Sequence, residues 1–102
     1  MTKDPQTAVT VKEILDLIKS ISPGKSVELR VPPYGAIQCV AGSNHRRGTP
    51  PNTVEMSGQT LIRLINEPAL WIALCESGEV RASGLLSDLS NLFTQAATKY
   101  RA

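Results

Sequence analysis

Few side chains in this sequence of 102 residues are of types that do chemistry, and their spacing favours capture over catalysis. His45-Arg46-Arg47 sets an imidazole beside two guanidinia within Gly42 to Asn52, the longest stretch without periodicity. Such a cluster can grip a carboxylate, a phosphate or an anionic headgroup through charge-assisted hydrogen bonds, with Thr49 and Asn52 as added donors. Arg47 is favoured over Arg46, because Gly48 beside it lets a backbone approach closely. The competing expectation is a solvated hairpin loop, since short basic runs usually decorate a surface. Loop length weighs slightly toward function.

Catalysis has little to work with. Cys39 and Cys75 lie in apolar runs without CxxC spacing, so free thiols are expected rather than a disulfide or a metal pair. Cys39 has no base near it in sequence, and the apolar helix around Cys75 would make that thiol harder to ionise. Ser57, Ser77 and Ser83 lack a nucleophile-elbow context. One histidine and two distant cysteines do not make a zinc site. The expectation is a non-catalytic protein with no metal and no cofactor.

Composition bounds the rest. The chain is 41% hydrophobic and 20% charged, with a net charge of +2, the profile of an ordinary soluble domain. Its basic residues are scattered rather than striped, which argues against nucleic acid. No apolar run approaches the roughly 20 residues of a membrane span, and the start of the chain lacks a signal-peptide core, so a cytoplasmic single domain is expected.

The elements that must position these groups follow from periodicity. Thr10-Val11-Lys12-Glu13 has capping-box form, with Thr7 as an alternative start, and Val11, Ile14, Leu15, Ile18 and Ile21 share one helical face. The period then switches to two. Val27, Leu29 and Val31 face in on a first strand, Pro32-Pro33-Tyr34-Gly35 turns, and Ala36 to Ala41 returns with Ile37 and Cys39 inward. Val54 and Met56, then Val80 and Ala82, repeat the alternation. Because each strand has one apolar and one polar face, a mainly antiparallel sheet is expected, with helices on one side and water on the other. Glu28, Arg30, Gln38, Glu55, Glu79 and Arg81 belong to the wet side.

Between the last two strands, Ser57 caps a short apolar helix over Leu61, Ile62, Leu64 and Ile65. Pro68 opens another around Trp71, Ile72, Leu74 and Cys75. Such an apolar helix is buried on several sides or borders a cavity or a partner. A closing amphipathic helix takes Leu85, Leu86, Leu89, Leu92, Phe93, Ala96, Ala97 and Tyr100 along one stripe.

This order, with Thr53-Val54-Glu55-Met56-Ser57, Leu61 to Leu64 and the run Ala73 to Gly84, resembles the type-two sterol carrier protein fold. The strings Ser26 to Tyr34 and Arg47-Gly48-Thr49-Pro50-Pro51-Asn52 resemble, more narrowly, the small bacterial orthologues of those carriers. The resemblance implies an α+β sterol-carrier-like domain with a sheet of four to five strands. It also implies an apolar tunnel between sheet and helices for a sterol, fatty acid or acyl-CoA. Ile37, Met56, Leu61, Leu64, Trp71, Leu74, Leu89 and Phe93 are the candidate lining, and a filled core is the competing expectation for all eight. His45, Arg46, Arg47 and Asn52 would hold the anionic end. The rival function is a protein-interaction module with a filled core. It would dock through the Trp71-Leu74-Cys75 face or the terminal stripe on a second copy or on a partner enzyme, since similar domains occur in mycothiol-dependent enzymes.

Overall fold

A computed structural model describes residues 3–42 and 52–102. Helix α1 spans Pro5–Ile21. The Asp4 carboxylate caps it by accepting from the Thr7 N–H at 2.9 Å and the Thr7 hydroxyl at 2.7 Å. Pro5 occupies the first turn, where a missing N–H costs nothing. The helix therefore starts before Thr10, and the expected capping box does not form. Thr10 lies inside the helix and donates to the Gln6 carbonyl instead. The face it buries is the expected one: Val11, Ile14, Leu15 and Ile18.

The sheet has four strands, β1 Val27–Val31, β2 Gly35–Cys39, β3 Asn52–Met56 and β4 Val80–Ser83, in the order β2-β1-β3-β4. Strands β1 and β2 form an antiparallel hairpin with Val31 opposite Gly35, and β3 and β4 pair antiparallel with Met56 opposite Val80. Between these pairs β1 runs parallel to β3, with Leu29 beside Val54. The sheet is thus mainly antiparallel with one parallel seam. Side-chain alternation assigns each of Val27, Leu29, Val31, Val54, Met56 and Val80 to the covered face, where all are buried. Glu28, Arg30, Glu55 and Arg81 lie opposite. There Arg30 Nε meets Glu28 at 2.5 Å and Arg81 Nη2 meets Glu55 at 2.5 Å. Exposed pairs of this kind contribute at most about 1 kcal/mol each, so burial on the other face holds the sheet.

The helices cover that face. Helix α2, Gly58–Asn66, is capped by Ser57, whose hydroxyl accepts from the Thr60 N–H at 3.1 Å. A single 3-10 turn at Pro68–Leu70 leads into α3, Trp71–Ser77. Gly78 ends α3 in the left-handed region, at φ 84°, and turns the chain into β4. Helix α4, Ser90–Arg101, buries Leu92, Phe93, Ala96 and Ala97.

Two expectations about the end of the chain are corrected. Leu85 and Leu86 do not join the α4 stripe. The Ser87 N–H and hydroxyl both bond the Gly84 carbonyl, at 3.2 and 2.7 Å. Asp88 then accepts from the Ser90 N–H at 3.0 Å. These bonds make a turn of 84–89 and delay the helix to Ser90. Ala82 lies on the covered side opposite Val54 but is exposed.

Candidate functional site

The eight residues expected to line a tunnel come together as a packed core. Leu61, Leu64 and Phe93 have 0% exposure, so no void wide enough for a water touches them. Met56, Trp71, Leu74 and Leu89 are buried to 5% exposure or less. Trp71 packs against Phe93 with ring centroids 5.9 Å apart and planes tilted by 32°, within the separation usual for aromatic pairs. Ile37 is half-buried at the margin. Trp71 and Leu74 are also closed to a partner protein, and on α3 the large apolar side chain facing solvent is Ile72, at 69% exposure.

Open apolar surface lies elsewhere, at the end of the molecule where α1, β2 and the 84–89 turn meet. A groove of about 350 Å³ is floored by Leu89 and Leu92, walled by Ile21 and Val40, and rimmed by Leu85 and Leu86. Ser22, Asp88, Asn91 and Gln95 supply its polar border. Leu85 is fully exposed and Leu86 is 42% exposed. The two leucines extend the apolar lining of the groove onto the open surface. The groove's size falls within the range of small-molecule sites, roughly 300–1,000 Å³.

The groove is held by backbone geometry that the sequence only hints at. Gly84 has φ 110°, which a side chain would resist. Asn52, buried at the start of β3, ties the turn down. Its Nδ2 donates to the Ser26 carbonyl at 2.8 Å, and its Oδ1 accepts from the Leu86 N–H at 2.9 Å. Val40 sits at φ 67°, an outlier for a β-branched residue. Its N–H donates to Ser22 at 2.8 Å and its carbonyl accepts from Ser26 at 3.1 Å. These bonds turn the end of β2 across the foot of α1 and over-determine the strained conformation.

His45, Arg46, Arg47 and Thr49 lie outside the described residues. The flanks of that segment are described, and both adjoin the groove. A Cβ on Gly42 would come within 3.1 Å of Leu86 Cδ1, and Asn52 bonds Leu86 directly. The buried Asn52 amide thus already serves two backbone partners.

Burial pushes the Cys39 thiol up to about 11. The Cys75 thiol is also raised, by burial first and then by the Asp88 and Glu76 charges. Hydrogen bonds from Ser90 hold the Asp88 carboxyl below the ordinary range, so it stays charged at the groove border. Among the described residues, no three side chains of metal-ligating type gather, and no helix is long and apolar enough to cross a membrane.

Sequence reasoning missed Leu85, Leu86, Ile21 and Val40 as one surface. The signal available was Gly84 followed by two leucines and Ser87-Asp88, an apolar pair inside turn chemistry rather than on a helix.

The family described as bacterial SCP ortholog matches residues 3–94. A solved structure titled "UbiJ-SCP2 Ubiquinone synthesis protein" is similar with a TM-score of 0.56 at 18% identity, covering 100% of this chain and 98% of that one. No curated protein matches in sequence.

Proposed function

Because the chain belongs to the bacterial orthologues of the sterol carrier proteins, we propose that it is a non-catalytic, carrier-like binder of a lipid or other apolar small molecule. The observation that carries this reading is the open groove under Leu85 and Leu86, next to a core without voids at Leu61, Leu64 and Phe93. Cargo in this reading lies in the surface groove, in contact with Leu89 from outside, rather than between sheet and helices. Desolvation of an acyl or ring body drives binding, at roughly 25 cal/mol per Å² of apolar area before ordering costs.

The anionic end of an amphipathic ligand falls to His45, Arg46 and Arg47. Support comes from the two flanks of their segment, which both adjoin Leu86. Asn52 contributes by fixing one flank rather than by binding an anion through its own amide. The neighbour titled for ubiquinone synthesis agrees with this reading at the level of fold alone.

Native mass spectrometry after gentle purification tests the proposal. A co-purified lipid should appear with the wild-type chain and be lost from Leu85→Asp/Leu86→Asp. Arg46→Ala/Arg47→Ala should weaken binding of an anionic lipid and reduce its salt dependence. Lipid retained at wild-type levels by Leu85→Asp/Leu86→Asp would remove the groove from the site.

A further inference from the structure

The groove between Ile21 and Leu92 has one charged side chain in its described lining, Asp88. Among the described residues, no lysine, arginine or histidine pairs with that carboxylate. Its Oδ1 accepts from the Ser90 N–H at 3.0 Å, which fixes the carboxylate at the start of α4. An ionised carboxylate offers about four acceptor sites and no donor. Acceptor capacity therefore remains after the Ser90 bond, in a lining shared with Leu86, Leu89 and Leu92.

The rest of the polar border does not choose a sign. Asn91 and Gln95 stand three and seven residues after Asp88, on one side of α4. They line the groove with Ser22, the residue that ends α1. Amides and hydroxyls both donate and accept, so they serve an anion or a cation alike. Only the charge of Asp88 discriminates.

We propose that Asp88 selects the polar end of the ligand: the groove takes an amphiphile whose head carries a cationic hydrogen-bond donor, an ammonium, in preference to one ending in a carboxylate alone. This assignment rests on the groove being the lipid site and adds the class of head group. An ammonium at this border completes a charge-assisted hydrogen bond with Asp88. A carboxylate there meets a like charge and brings no donor. The apolar body packs against the same leucines in both cases, so a fatty acid still binds, more weakly. A head that joins an ammonium to an anionic group, as in a zwitterionic lipid, satisfies Asp88 equally.

Three probes with the same ten-carbon chain test it at neutral pH and low salt: decylammonium, decanol and decanoate. Titrations of the full chain are read by NMR at the Leu85, Leu86 and Leu92 methyls. Asp88→Asn removes the charge and keeps an oxygen for the Ser90 N–H, since asparagine caps helices about as well as aspartate. Decylammonium should bind this variant about threefold to fivefold more weakly than wild type, and decanoate up to about threefold more tightly. Decanol should change less than either. Ammonium and carboxylate responding in the same direction, or neither responding, would overturn the inference and leave the groove standing as the lipid site. Silence of all three sets of methyls with every probe in the wild type would remove the groove as a ligand site, and the head-group assignment with it.

Discussion

Asn52 Oδ1 accepts the Leu86 backbone N–H at 2.9 Å across a separation of 34 residues. One buried side chain thereby joins the first residue of β3 to the turn that displays the open leucines. The other half of the same amide reaches the Ser26 carbonyl at the entry to β1. Replacing Asn52 by Ala would strand both backbone partners, and each unsatisfied group costs about 1–3 kcal/mol. A loss of roughly 2–4 kcal/mol is expected in urea unfolding, together with faster hydrogen exchange at the Leu86 amide.

Two glycines with positive φ separate packing from conformation. A Cβ on Gly84 would overlap Asn52 Oδ1, whereas one on Gly78 would meet nothing within 4 Å. Gly78→Ala should therefore cost about 1 kcal/mol, the ordinary penalty for leaving the left-handed cap to a residue with a side chain. Gly84→Ala should cost clearly more and displace the Asn52 bond. Equal costs in chemical denaturation would contradict that account.

The Cys39 thiol ties stability to alkaline pH. Burial raises it from the ordinary 9.0 to about 11 in the folded chain. Above pH 9 the unfolded chain therefore releases a proton that the folded chain keeps, and stability falls as pH rises toward 11. The loss is up to about 2–3 kcal/mol, and Cys39→Ala should abolish it. At pH 8, alkylation should label the partly exposed Cys75 well before the buried Cys39.

Stability and ligand binding should dissociate between the core and the groove. Phe93→Ala should cost about 3–5 kcal/mol and Leu64→Ala about 2–5 kcal/mol, with ligand affinity changed little in the protein that remains folded. Leu85→Asp should leave stability within about 0.5 kcal/mol, as surface changes usually do, and should abolish ligand binding. Urea titration and a fluorescent fatty-acid displacement assay measure the two effects side by side.

The strands were legible because burial on one face writes period two into the chain. Val27, Leu29, Val31, Val54, Met56 and Val80 all take the side that alternation assigns. The parallel seam between β1 and β3 was not legible, because alternation reports which face a residue takes and nothing about strand direction. Asp4 and Pro5 carry a helix start as clear as the one read at Thr10, and the Asp4 hydrogen bonds to Thr7 decided between them. At Leu85 and Leu86 the helical spacing was real, yet Gly84, Ser87 and Asp88 hold their backbone in a turn. The groove stayed hidden for that reason: its wall comes from Ile21 and Val40, far away in the chain, and its rim from residues read as part of a helix.

The most direct test is a two-dimensional NMR titration of the labelled chain with lauric acid, with methyl and aromatic groups assigned. Shifts and intermolecular contacts should gather on Ile21, Val40, Leu85, Leu86, Leu89 and Leu92, while Leu61, Leu64 and Phe93 stay unmoved. Contacts centred on Leu61, Leu64 and Phe93, with Leu85 and Leu86 silent, would contradict the surface groove and restore a tunnel between sheet and helices.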